Sequence, residues 1–183
     1  MAILMVRHGE TDWNVQKRVQ GKADIPLDEN GIEQAKIVSQ KLKEEKIDII
    51  ICSPLKRAKQ TAEIINKEIH CPILYEEGIS ERDFGEFEGK QSTQFDCEAF
   101  WSYKKNMNYE RAENIRNFFQ RVYQTLDDVI RQYPEKNVLI VSHGGVSVPV
   151  YCYFNGVPDD DNLMDLGLHN CEVAKYSNIE RKI

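Results

Sequence analysis

Ala2-Ile3-Leu4-Met5-Val6-Arg7 is an almost unbroken apolar run, and His8-Gly9-Glu10-Thr11 follows it directly. A strand that is apolar on both faces must be covered on both faces, as in a parallel sheet with helices on either side. Ile47–Cys52 and Val138–Ser142 read the same way, and Pro72–Tyr75 is a shorter strand. Cys171–Tyr176 (C-E-V-A-K-Y) alternates and fits an edge strand.

Between these strands the apolar period becomes helical. Asp28 can cap a helix running to about Glu45, with Ile32, Ala35, Val38 and Leu42 on one face. Ser53-Pro54 reads as an N-cap followed by proline at the first helical position. That helix would bury Leu55, Ala58, Ala62 and Ile65. Ala112, Ile115, Phe119, Val122, Leu126, Val129 and Tyr133 follow a 3-4 spacing, which predicts a long helix packed on the sheet. Gly144–Phe154 opens with Gly-Gly after a strand and is read as helical. The order is βαβαβ(α)αβαβ. Right-handed crossovers turn it into an α/β fold, a three-layer α/β/α sandwich with a mostly parallel central sheet. A chain of 183 residues suits one domain, 1–183, and no repeat, low-complexity stretch or linker divides it.

Composition narrows the function. The 24 basic and 30 acidic residues give a net charge of −6, against the basic balance of a general nucleic-acid binder. With 41% hydrophobic and 30% charged residues, the chain is neither disordered nor membrane-embedded. No apolar run reaches the roughly 18 residues of a membrane span. Met1–Val6 has no basic n-region and no cleavage site, so no signal peptide is expected. The five cysteines, Cys52, Cys71, Cys97, Cys152 and Cys171, are odd in number and widely spaced. They read as reduced thiols of a cytoplasmic protein.

In a sheet of this kind ligands bind beyond the carboxyl ends of the strands. Three segments meet there: Arg7-His8-Gly9-Glu10-Thr11, Ser53-Pro54-Leu55-Lys56-Arg57-Ala58 and Ser142-His143-Gly144-Gly145. Two guanidinium forks, two imidazoles and two helix N-termini make a site for a dianionic phosphoryl group. Paired histidines also suggest a metal. Here each sits beside glycine, with no carboxylate or cysteine at ligand spacing, and two arginines would repel a divalent cation. Neither a metal nor a cofactor is expected.

These residues resemble the histidine phosphatase superfamily, also called the phosphoglycerate mutase-like family. The resemblance rests on R-H-G-E-T, S-P-L-x-R-A-x-Q-T-A, E-R-D-F-G-E-F-E-G and S-H-G-G, and spans Ile3 to about Asn170. It implies a phosphoglycerate mutase-like fold. It implies His8 as the nucleophile, Arg7 and Arg57 as phosphate clamps, His143 as the second phosphate-contacting histidine and Glu81 as the proton donor. Asn14 matches an amide that contacts the phosphoryl group, Gln20-Gly21 a turn near the site, and Gly144 the residue after the second histidine. Ala112-Glu113-Asn114-Ile115 with Arg121 is similar to the family's G-E-S-L…R helix, with Gly and Ser replaced.

The chemistry agrees with the resemblance. An imidazole nucleophile needs one bare nitrogen and an acceptor, such as a carbonyl near Gly9, for the other. Charge on the equatorial oxygens of the transition state calls for Arg7, Arg57 and His143. One carboxyl group can protonate the leaving oxygen and then deprotonate water. Glu81 competes for that role with Glu76, Glu77, Glu86 and Glu88, of which Glu86 and Glu88 are the spares.

The leading expectation is a histidine acid phosphatase-type phosphomonoesterase acting on a small phosphorylated substrate, without nucleic acid or membrane as partner. A cofactor-dependent phosphoglycerate mutase is the alternative. Phe84 stands where that branch has tyrosine, Ser92 where it has lysine, and no Arg-Arg pair occurs, whereas Arg82 is mutase-like. A non-catalytic phospho-ligand module is a third reading, but His8 and Glu81, which a decayed member would lose, are both present. His70 and His169 read as surface or core histidines, and Trp13 and Trp101 as packing. Residues 91–109 break both periodicities and carry Phe95, Phe100, Trp101, Tyr103, Tyr109, Lys104 and Lys105. Two readings stand: a surface excursion packed on the long helix, or a lid whose aromatics touch the substrate body while the lysine pair meets a second anionic group.

Overall fold

A computed structural model describes residues 1–177, 179, 181 and 182. The elements are β1 (Ile3–Arg7), α1 (Asp12–Val15), α2 (Glu29–Leu42), β2 (Ile49–Cys52), α3 (Lys56–Ile69), β3 (Ile73–Tyr75), α4 (Cys97–Trp101), α5 (Ile115–Gln132), β4 (Val138–Ser142), α6 (Gly144–Asn155) and β5 (Val173–Tyr176). The sheet order is β3-β2-β4-β1-β5. All neighbours are parallel except the edge strand β5, which runs antiparallel to β1. The three-layer α/β fold is the one the strand and helix periods predict.

Strand alternation sorts the apolar side chains into two cores. Ile3, Met5, Ile49, Ile51, Val138 and Ile140 pack on α5 and α6. Leu4, Val6, Ile50, Cys52, Leu139 and Val141 pack on α2 and α3. Each buried Val, Leu or Ile side chain contributes about 1.5–3 kcal/mol, so the three central strands anchor both layers at once.

The connections place the site. From β1 the chain passes through α2 to β2 and through α3 to β3, in one direction across the sheet. It returns through α5 to β4 and leaves through α6 to β5 on the other face. The direction reverses between β1 and β4, which are neighbours, so their outgoing loops part and open a crevice. Arg7 pairs with Ser142 across this junction, and the His8 N–H donates to the Ser142 carbonyl at 2.9 Å. On the α2 side the fit is tight: a Cβ on Gly31 would lie 2.1 Å from the Glu10 carbonyl oxygen.

Boundaries differ from the sequence reading where distant partners replace local signals. Helix α3 starts at Lys56, not at Ser53-Pro54; its cap residue Leu55 makes no side-chain bond. The Lys56 N–H donates instead to Asp24 Oδ1 at 2.6 Å, from a loop earlier in the chain. Leu55 and Ile32 are only half-buried. Helix α5 opens at Ile115, where the Asn114 side chain accepts N–H bonds from Arg116 and Asn117, so Ala112 precedes the helix. Phe118 joins its buried stripe. Helix α2 ends at Leu42, and β2 and β5 start two residues later than read.

Candidate active site

His8, just past β1, is 3% exposed. Its Nδ1 lies 2.7 Å from the carbonyl oxygen of Gly9, the acceptor expected there. That bond puts the proton on Nδ1 and leaves a lone pair on Nε2. Arg57 Nε donates to this lone pair at 3.2 Å. Burial, then the charges of Arg57 and Arg7, hold His8 well below the usual histidine range, against a weaker upward pull from the Gly9 carbonyl. The ring is therefore neutral near pH 7. The His8 loop is pinned on both sides: the Gly9 N–H donates to Thr61 Oγ1 at 3.0 Å, and Asn170 Nδ2 donates to the His8 carbonyl at 2.9 Å.

Arg57 is fully buried in the first turn of α3. Its other two nitrogens donate to the Ala23 and Gly21 carbonyls at 2.7 and 2.9 Å, which fixes the plane of the guanidinium. Burial brings its pKa down to about 10, so it stays charged at neutral pH. Gly21 has φ +51°, and a Cβ there would meet Glu88 Oε1 at 2.1 Å. Glu88 accepts the Lys22 and Ala23 N–H groups at 2.7 and 3.0 Å. It thus holds the turn that aims Arg57. Arg7 donates to the Leu168 carbonyl at 2.9 Å, and its buried Nε has no partner among the described residues. A Cβ on Gly144 would lie 3.2 Å from Arg7 Cζ, so the bare glycine lets this guanidinium rest on the N-terminus of α6.

Glu81 is 8% exposed. Oε1 accepts the Arg82 N–H at 2.9 Å and Oε2 the Gly145 N–H at 3.0 Å, at the start of α6. Helix α5 supports this segment through Arg121, which donates to the Gly78 and Ser80 carbonyls at 2.9 Å each and pairs with Glu113 at 2.8 Å. Glu86 is exposed. Arg82 is buried and donates to the Glu113 and Phe100 carbonyls, with its face 3.7 Å over the Phe100 ring. His143 is fully buried. Its ring centroid lies 5.2 Å from that of His8. Its Nε2 sits 2.7 Å from Ser53 Oγ, and its Nδ1 is buried without a partner among the described residues.

A cavity of about 380 Å³ opens over this floor, lined by Arg7, His8, Arg57, Glu81 and Gly144, together with Asn14, Gln20 and Gly21. The Asn14 carboxamide oxygen accepts from Thr11 and Asn170, which leaves its NH₂ end for a ligand. Gln20 is buried, and its Oε1 has no partner among the described residues. Sequence reading missed Ser53 as a partner of His143, Asn170 as a brace, and Arg18 and His169 on the cavity wall. Ser53 had been absorbed by an apparent helix cap, and no local pattern marks the others.

Trp101 of segment 91–109 also lines the cavity, together with Leu163 and Leu168. Phe95, Phe100 and Tyr109 pack around Phe84 and Phe87, with centroids as close as 4.5 Å. The lysine pair stands elsewhere. Lys104 Nζ bonds the Asp159 carbonyl, and Lys105 pairs with Glu98 at 3.8 Å in solvent. Asp161 receives Ser102 Oγ at 2.5 Å and the Tyr103 and Lys104 N–H groups at 3.1 and 3.2 Å. Lys104 therefore ties its segment to residues 159–161, Lys105 pairs within its own segment, and neither is among the residues that line the cavity.

The sequence of residues 3–182 matches the model of the histidine phosphatase superfamily (branch 1). The uncharacterized phosphatase PhoE of Bacillus subtilis (strain 168) is 41% identical over 98% of this chain and 88% of its own length. Phosphoglycerate mutase-like protein 4 of Arabidopsis thaliana is 30% identical over 81% of this chain and 69% of its own. Among solved structures, Bacillus stearothermophilus YhfR superposes with a TM-score of 0.88 at 28% identity, covering 100% of this chain and 94% of that one.

Proposed function

The chain belongs to the histidine phosphatase superfamily, and from that premise we propose that it is a metal-independent phosphatase hydrolysing a small phosphorylated metabolite through a phosphohistidine on His8. The observation that carries this reading is the His8 ring, whose Nδ1 is spent on Gly9 so that a bare Nε2 faces a cavity between two guanidiniums. Nε2 attacks phosphorus as the ester P–O bond breaks, and Glu81 gives its proton to the departing oxygen. Arg57 leaves the lone pair and turns its N–H groups to the phosphoryl oxygens, joined by Arg7 and His143. Water then gives a proton to the Glu81 carboxylate and its oxygen to phosphorus; the P–N bond breaks and phosphate departs.

Three observations favour hydrolysis over phosphoglycerate mutation. Arg82 is committed to two backbone carbonyls. Phe84 presents an apolar face to the cavity where mutases have tyrosine. Identity is higher to the phosphatase, 41%, than to the mutase-like relative, 30%. The walls formed by Val19, Phe84, Trp101, Val148, Leu163 and Leu168 suit a substrate whose non-reacting part is partly apolar. No helix of the described residues is long and apolar enough to cross a membrane. The five free cysteines fit a cytoplasmic setting.

The test is a panel of phosphorylated metabolites assayed for free phosphate with EDTA present. His8→Ala abolishes turnover. Glu81→Gln slows phosphorylation by esters with poor leaving groups far more than by an activated aryl phosphate. Equal damage to both would remove Glu81 as the acid.

A further inference from the structure

We propose that Ser53 is a positioning residue that fixes the tautomer of His143, so that this ring meets the phosphoryl group with an N–H at Nδ1. The proposal rests on the hydrolase reading above and assigns a role to a residue outside the phosphate clamp. Ser53 and His143 are both fully buried, and Ser53 Oγ lies 2.7 Å from Nε2. Ser53 Oγ also lies 3.4 Å from the Leu55 N–H, from which it accepts. Its own O–H finds no other acceptor than Nε2 among the described residues, and a buried O–H left unpaired is unfavourable. The hydroxyl therefore donates and Nε2 accepts.

A neutral imidazole carries one proton, and here it must sit on Nδ1. Burial, with the charges of Arg57, His8, Arg7 and Lys22, keeps the ring neutral. Nδ1 is buried and has no partner among the described residues. A phosphoryl oxygen is an acceptor, so an N–H there completes the site, whereas the opposite tautomer would turn a lone pair on an anion. The two imidazoles, 5.2 Å apart, thus share one tautomer for opposite purposes. A carbonyl draws the proton of His8 to Nδ1 and bares Nε2 for attack. A hydroxyl occupies Nε2 of His143 and leaves Nδ1–H to bind.

The experiment is nitrogen-15 NMR of the histidine rings in the full chain, with orthovanadate as the phosphoryl probe. We expect His143 protonated at Nδ1 and bare at Nε2, with the Nδ1 resonance moving on addition of vanadate. A His143 ring protonated at Nε2, or an Nδ1 that ignores vanadate, overturns the proposal. Ser53→Ala should lose about tenfold in kcat/KM for an aryl phosphate, the worth of one hydrogen bond. Ser53→Thr, which keeps the hydroxyl, should recover most of it. Equal losses in both folded variants would make Ser53 a packing residue and sink the idea. Should Ser53→Thr fail to fold, the wild-type spectrum decides. Absence of turnover by the wild type with every ester tried would instead defeat the hydrolase reading, and the ring spectrum would still settle the tautomer.

Discussion

His8 and His143 are two buried imidazoles beside two guanidiniums, and their protonation is displaced well below 6.5, first by burial and then by those charges. In the unfolded chain each titrates near 6.5. Below that pH the unfolded chain takes up protons that the native chain refuses, so stability falls as pH falls. The contribution is complete above about 6.5 and declines by about 1.4 kcal/mol per pH unit for each ring until the native ring also titrates. We expect the Tm, measured in a phosphate-free buffer, to drop steeply between pH 6.5 and 5. His143→Gln should flatten that drop by one proton's worth. An unchanged slope would mean that His143 titrates normally in the native protein. Ionisation of His8 should likewise not limit kcat/KM near pH 6.5, because the nucleophile is still bare there.

At the scale of elements, α3 decides where Arg57 points, and its start is capped from outside. Asp24→Ala removes the carboxylate that accepts the Lys56 N–H. The expected cost is about 1 kcal/mol, a fall in Tm of about 2–4 °C by calorimetry. A neutral result would mean that water replaces the cap. This same feature shows what could and could not be read in advance. Strands β1, β2 and β4 were legible because burial on both faces leaves runs such as Ile3–Val6 without polar residues. The long stripe of α5 was legible because helical period and core contact coincide. The first turn of α3 was misread because Ser53-Pro54 carries every local mark of a cap, while the actual acceptor comes from another loop. Helix α1 has four residues and no apolar period to betray it. At the site, His8, Arg57 and Glu81 stand in motifs read along the chain. Ser53 joins them only when β2 pairs with β4, and His169 and Asn170 only when β5 pairs with β1, contacts that no spacing encodes.

For the whole molecule, the reversal between β1 and β4 places the proposed nucleophile and acid on different halves. His8 leans on α3 through Thr61 and Arg57, in the layer built on Leu4, Val6 and Ile50. Glu81 accepts the Gly145 N–H in the first turn of α6, and its neighbour Ser80 is held by Arg121 of α5, in the layer built on Ile3, Met5 and Ile140. The sheet divides the two layers, and the reacting pair meets in one cavity at its carboxyl edge. Loosening of either half would separate acid from nucleophile while most helix and strand persists. In a guanidinium titration, turnover of an aryl phosphate should vanish at lower denaturant than the far-ultraviolet circular dichroism signal. Coincident midpoints would show that the halves melt as one. Catalysis in this architecture works as a strain gauge laid across a seam, and its failure announces slippage there before the fold itself gives way.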